Sequence, residues 1–178
     1  MPGTADIRLI ISDVDGVLTD GRIIYAGDRS EVKEFNVRDG LAVKLAQRAG
    51  IVVALLTSRR SAALERRARE LGIAELHQGA ANKLEESERI AARLGFTFAQ
   101  TLYAGDDLPD LAPMKRAAIS AAPGDAAPEV LHAATWKLTS RGGHGALREI
   151  VERLLRERGE WESIVQDFTR GKPEAQSI

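Results

Sequence analysis

The chain has 178 residues, 44% of them apolar and 4% aromatic, a length that suits one domain and a composition that suits helices on a sheet better than a β-sandwich. Its 25 basic and 26 acidic residues are interspersed, and a formal net charge of −1 excludes a global field that would gather nucleic acid or an anionic membrane surface. Cysteine is absent, which excludes disulfides, thiolate metal sites and cysteine nucleophiles and fits a cytoplasmic setting, and no apolar run approaches the ~20 residues needed to span a bilayer.

Ile7 to Ser12 is a nearly continuous apolar run ending at carboxylates, the pattern of a strand buried on both faces of a parallel sheet. Two strand-like runs follow, Arg22 to Tyr25 and Glu31 to Phe35, joined by Ala26 to Ser30. They predict a β-hairpin over roughly residues 21–36, a flap or oligomer contact at the carboxyl end of the first strand. The amphipathic stretch Leu41 to Ala49, stopped by Gly50, leads into a second strand at Ile51 to Leu56. A helix around 60–71 precedes a strand at Ala74 to His77, and a helix around 82–94 precedes one at Thr101 to Ala104. Arg59, Arg60, Arg66, Arg67 and Arg69 fall within the first of these helical stretches and read mainly as a solvated basic face.

Late strands are expected at Ala118 to Ala121 and Thr135 to Leu138, separated by a Pro/Gly/Ala-rich connection and a short helix. Gly145 to Arg158 closes the domain as an amphipathic helix. The alternation predicts an α/β fold: a doubly wound, mostly parallel, Rossmann-like sheet with helices on both faces over residues 1–170, then a flexible tail at 171–178.

Chemistry concentrates where apolar strands end. Asp13 and Asp15 stand two apart after the first strand, so they face one way, and two neighbouring carboxylates call for a cation, a shared proton or unequal protonation. Asp106, Asp107 and Asp110 follow Thr101 to Ala104 in the same manner, and a parallel sheet brings both clusters out at one edge. Hard oxygen ligands in that number favour Mg²⁺, completed by waters and a substrate phosphate. Asp107 before Pro109 is alternatively a helix cap. Thr57, Ser58 and Arg59 end the second strand with two hydroxyls and a guanidinium, and Lys83 opens a helix at the same edge.

Taken in order, the segments Asp13 to Gly21, Leu55 to Arg59, Lys83 and Gly105 to Asp110 resemble the four motifs of the haloacid dehalogenase superfamily of phosphohydrolases. Phe35 to Gly40, His77-Gln78-Gly79 with Asn82-Lys83-Leu84, and Gly142 to Glu149 extend the likeness to the small capless branch typified by 3-deoxy-D-manno-octulosonate 8-phosphate phosphatase. The resemblance implies a HAD-like fold and an aspartyl-phosphate mechanism. Asp13 would be the nucleophile, Asp15 the general acid and base, and Thr57 and Lys83 the holders of the phosphoryl oxygens.

Mg²⁺ would lie on Asp13, Asp106 and the Asp15 carbonyl, with Asp107 and Asp110 supporting from behind. The sugar-acid end of the substrate would meet Asn36, Val37, Arg38, Asp39, Gly40, Lys44, Ser58, Arg59 and Arg67. The implied substrate is a small acidic sugar phosphate, with no nucleic acid or membrane partner, turned over by a homotetramer in lipopolysaccharide synthesis. Alternatives are a nonulosonate 9-phosphate, or an accessory role resembling the small subunit of phenylphosphate carboxylase. Ser58 stands where the branch usually has glycine, and His144 where arginine is frequent.

Overall fold

The computed structural model describes residues 3–27 and 30–171. In chain order they form β1 (Leu9–Ser12), β2 (Ile24–Ala26), β3 (Ser30–Val32), α1 (Val37–Arg48), β4 (Val52–Thr57), α2 (Ala62–Leu71), β5 (Glu75–Gln78) and α3 (Lys83–Arg93). Then come β6 (Thr101–Ala104), α4 (Leu111–Arg116), β7 (Ile119–Ala122), α5 (Pro128–Ala133), β8 (Trp136–Lys137), α6 (Ala146–Glu157) and α7 (Trp161–Thr169).

Among the described residues the main sheet runs β5-β4-β1-β6-β7-β8, with every neighbouring pair parallel. The fold is α/β, as the alternation predicts. The two-residue period of a strand divides the apolar side chains between two cores. Ile10, Val53, Leu55 and Leu102 enter one, with α1, α2, α6 and α7 against them; Leu9, Ile11, Leu56 and Tyr103 enter the other, with α3, α4 and α5. Helix α6 shows how the cover is held. It buries Leu147, Ile150, Val151, Leu154 and Leu155, the i, i+3, i+4, i+7, i+8 stripe of an amphipathic helix, and each such side chain contributes roughly 1.5–3 kcal/mol.

Strand β1 is flanked by β4 and β6, with Ser12 opposite Leu55 on one side and Ala104 on the other. Successive strands leave β1 toward β4 and β5, then cross back to β6, so the order reverses at β1 and opens a crevice at its carboxyl end. The hairpin is a separate antiparallel pair, β2 with β3.

Several bounds differ from expectation. The hairpin strands are Ile24–Ala26 and Ser30–Val32, because the chain leaves extended pairing before Phe35 to enter α1. Helix α1 starts at Val37, four residues ahead of the amphipathic stretch, since the Asn36 side chain accepts from the Arg38 N–H and caps it. Arg59 and Arg60 precede the Ser61 cap of α2 and so lie outside that helix. Helix α7, which docks Trp161 and Ile164 on the core, was not among the expected elements. Apart from Gly171, the expected tail lies outside the described residues, as do Asp28 and Arg29 of the hairpin turn.

Candidate active site

Four strand ends deliver polar groups into the crevice. Asp13 follows β1, its N–H donating to Ala104 O at 2.9 Å and so continuing the ladder into the loop. Thr57 is the last residue of β4, Lys83 the first of α3 after β5, and Asp106 comes two residues after β6. Asp13, Asp15, Thr57, Ser58, Arg59, Lys83, Asp106, Asp107 and Asp110 line one open cavity of about 330 Å³.

Asp13 and Asp110 are buried around the Lys83 ammonium, whose Nζ lies 2.9 Å from Asp13 Oδ2 and 2.7 Å from Asp110 Oδ1. Burial opposes charge on Lys83, but the two carboxylates outweigh it and hold the ammonium above its ordinary value. Burial, and then the charge of Asp110, drive the Asp13 carboxyl well above the usual carboxylate range. The same two causes push Asp106 up to about 6, against a hydrogen bond shared with Asp13 and the pull of Lys83.

Asp110 has little capacity left. Its Oδ1 accepts from Lys83 and from the Tyr103 hydroxyl at 2.8 Å, and its Oδ2 accepts from the N–H groups of Asp106 and Asp107 at 3.3 and 3.4 Å. Asp107 is exposed and caps the turn before α4 by accepting from Leu108 N–H. The loop after β1 approaches closely: a Cβ on Gly16, at φ +96°, would lie 2.1 Å from Asp106 Oδ2, so only glycine leaves room for that carboxylate.

The donor set fits a divalent cation. Oxygens of Asp13, Asp106 and Asp110 lie within 4.8 Å of one another, and Lys83 is the ammonium between them, so the buried cluster is left with excess negative charge. Asp110 is committed to Lys83, Tyr103 and backbone, which leaves Asp13 and Asp106 as the carboxylates free to ligate.

Asp15 stands above this cluster. Its Oδ1 is ion-paired with Lys33, and its Oδ2 accepts from Thr57 Oγ1 at 3.4 Å. Thr57 Oγ1 in turn accepts from Arg59 N–H at 3.1 Å. The Arg59 guanidinium donates to Glu31 Oε1 at 3.0 Å, while its Nε has no partner among the described residues.

The other expected sugar contacts do not line this cavity. Asn36 caps α1 and donates to Gly143 O at 3.3 Å. Val37 and Arg38 are exposed on the first turn of α1. Asp39 is buried at the start of α6, accepting from Arg148 N–H at 2.7 Å, and burial, opposed by these backbone bonds, pushes its carboxyl up to about 6. A helix start is a place that favours negative charge. The Arg67 guanidinium lies over Gly40, where an added Cβ would be 2.3 Å from Nη2, and Lys44 Nζ sits beside Gly72 at the end of α2.

Reasoning from sequence overlooked three groups here: Tyr103, which holds Asp110, and Glu31 and Lys33 on the hairpin. The i, i+2 spacing of Glu31 and Lys33 on a strand-like run is the signal that both point the same way.

A family profile described as a haloacid dehalogenase-like hydrolase matches residues 71–150. The 3-deoxy-D-manno-octulosonate 8-phosphate phosphatase of Yersinia pestis is 42% identical over 151 residues, 85% of this chain and 81% of that one. A crystal structure of 3-deoxy-D-manno-octulosonate 8-phosphate phosphatase from Moraxella catarrhalis, in complex with magnesium, phosphate and KDO, superposes with a TM-score of 0.90 at 35% identity, covering 93% of this chain and 95% of that one. The cobalt-bound form of the Haemophilus influenzae phosphatase gives 0.89 at 37% identity, covering 93% and 98%.

Proposed function

Because the chain belongs to the family of haloacid dehalogenase-like hydrolases, we propose that it is a Mg²⁺-dependent phosphatase converting 3-deoxy-D-manno-octulosonate 8-phosphate to the free sugar acid in lipopolysaccharide synthesis. The observation that carries this reading is the meeting of Asp13, Asp106 and Lys83 at the crevice where the strand order reverses. The names of its relatives supply the substrate.

In this reading an Asp13 carboxylate oxygen attacks phosphorus while the bond from phosphorus to the sugar oxygen breaks on the opposite side, leaving an aspartyl phosphate. Asp15 gives its proton to the departing sugar oxygen, then takes one from the water that attacks the aspartyl phosphate and releases inorganic phosphate. Lys83 and the Thr57 hydroxyl hold the non-bridging oxygens, and Asp110 keeps the Lys83 ammonium aimed at Asp13. Asp13, Asp106 and the Asp15 carbonyl would hold Mg²⁺, which when bound neutralises charge on the phosphoryl group. Asp107 would support that site from behind. On the cavity wall the Arg59 guanidinium suits the sugar acid's carboxylate, because its planar fork can donate two parallel hydrogen bonds.

Location in the cytoplasm and assembly as a homotetramer are part of the same reading. The apolar side chains of Ile23, Ile24, Tyr25 and Val32, exposed on the hairpin, support the second, which light scattering tests.

The functional test is phosphate release from a panel of sugar phosphates, with Mg²⁺ and with chelator. The eight-carbon sugar acid phosphate is expected to give the highest kcat/KM and chelator to abolish turnover. Preference for a nine-carbon acid would reassign the substrate, and no Mg²⁺-dependent release from any sugar-acid phosphate would overturn the reading.

A further inference from the structure

The hairpin enters the cleft as well as flanking it. Glu31 and Lys33 are two residues apart, and their side chains meet, with Lys33 Nζ 3.4 Å from Glu31 Oε1. The Lys33 side chain is 1% exposed, a rare state for lysine that requires a partner. That partner is Asp15 Oδ1. Glu31 is tied in turn to Arg59 at 3.0 Å, so a chain of alternating charges runs from Asp15 through Lys33 and Glu31 to Arg59.

The consequence for Asp15 is a division of labour between its two oxygens. Oδ1 is taken by the hairpin, while Oδ2 lies on the side of the Thr57 hydroxyl. If Thr57 holds the phosphoryl group, Oδ2 is the oxygen that faces it. A carboxylate free to rotate about its own bonds would present Oδ2 there only part of the time, and the contribution of a general acid depends on that placement.

We infer that Lys33 is a positioning residue for the reaction: anchored by Glu31, it pins Asp15 through Oδ1 so that Oδ2 is presented to the leaving oxygen of the substrate. The inference rests on the proposed function, with Asp15 as the general acid, and gives the hairpin a task within its own chain. Lys33 itself touches neither phosphate nor leaving group.

Leaving-group dependence separates positioning from packing. A sugar alkoxide needs a proton as it departs, whereas p-nitrophenolate does not. Lys33→Met keeps the length of the side chain and removes its charge. It is expected to lower kcat on the sugar-acid phosphate about 100-fold with KM little changed, and to alter the first-turnover release of p-nitrophenolate, which precedes the water step that also uses Asp15, by less than about threefold. Lys33→Arg, which restores the charge, is expected to recover most of the lost kcat. Glu31→Gln leaves Lys33 in place with a weaker anchor and should show a smaller selectivity of the same sign, which covers the case in which Lys33→Met does not fold.

Equal losses in the first turnover of both esters, a change confined to KM, or no loss on either overturns the inference. A wild type that hydrolyses p-nitrophenyl phosphate and another alkyl phosphate, but not this sugar acid, overturns the substrate assignment alone. The Lys33 comparison then proceeds on the alkyl ester that is turned over. Failure to hydrolyse either class overturns both.

Discussion

Replacing Lys83 by Met keeps the bulk of the side chain and removes the charge that now sits 2.9 Å from Asp13 Oδ2 and 2.7 Å from Asp110 Oδ1. Without metal, the variant holds Asp13, Asp106 and Asp110 within 4.8 Å of one another with no ammonium between them. Deleting one partner of a buried ion pair costs about 3–5 kcal/mol. In a chain of this size each kcal/mol moves Tm by about 2–4 °C, so the metal-free variant should melt about 10 °C below wild type near neutral or mildly alkaline pH.

Acid should narrow that gap. A carboxyl whose folded pKa lies above its unfolded value binds more protons in the folded state over the interval between the two, so stability rises as pH falls through it. For Asp106 in the wild type the interval runs from an unfolded value of about 3.9 up to about 6. Asp13 is displaced in the same direction, and losing Lys83, which lowers both, extends the interval upward. Mg²⁺ stabilises both proteins, by about 2.7 kcal/mol at one hundred times the Kd, and should narrow the gap because a site that has lost its ammonium binds the cation more tightly than the wild-type site does. Thermal melts followed by circular dichroism, in chelator and in Mg²⁺ at about pH 8 and about pH 5, read all of this. A variant that melts with the wild type at the higher pH, or falls further behind at the lower one, would refute the reasoning.

Asp13→Asn should abolish phosphate release yet raise the stability of the metal-free chain in urea titrations, because a buried carboxyl held above its ordinary range loses its charge. Gly16→Ala, whose new Cβ would meet Asp106 Oδ2 at 2.1 Å from a positive-φ backbone, should weaken Mg²⁺ binding about 10–100-fold by titration calorimetry while leaving the helical circular dichroism unchanged. Asp39 has its folded pKa raised to about 6, so the stability of wild type relative to Asp39→Asn should fall by up to about 3 kcal/mol as pH rises from about 4 to above 6. Parallel pH profiles for the two proteins would contradict that placement.

Much of the sheet was legible because its strands are short apolar runs bounded by turn residues. Thr101–Ala104 has the bounds its sequence suggests, and the acidic residues after Ser12 and Ala104 had to emerge together once the sheet was parallel. Lys33 was not legible. Nothing local distinguishes a lysine that dips into a cleft from one that waves in water, and its burial depends on a hairpin that folds back toward β1. Resemblance reads Asn36 and Asp39 as substrate contacts; in the structure Asn36 also caps α1, which the sequence suggests, and Asp39 meets the start of α6, which no local pattern announces. Helix α7 carries the stripe Trp161, Ile164, Val165 and Phe168, but it follows α6 after a break at Gly159, where a chain reads as ending its domain.

The central claim is that Asp13 itself accepts the phosphoryl group. Hydrolysis of a substrate made chiral at phosphorus with oxygen isotopes and sulfur tests it most directly, since each displacement at phosphorus inverts its configuration. Two displacements through Asp13 predict net retention in the released thiophosphate, whereas inversion would mean that water attacks the substrate directly, and would contradict the account.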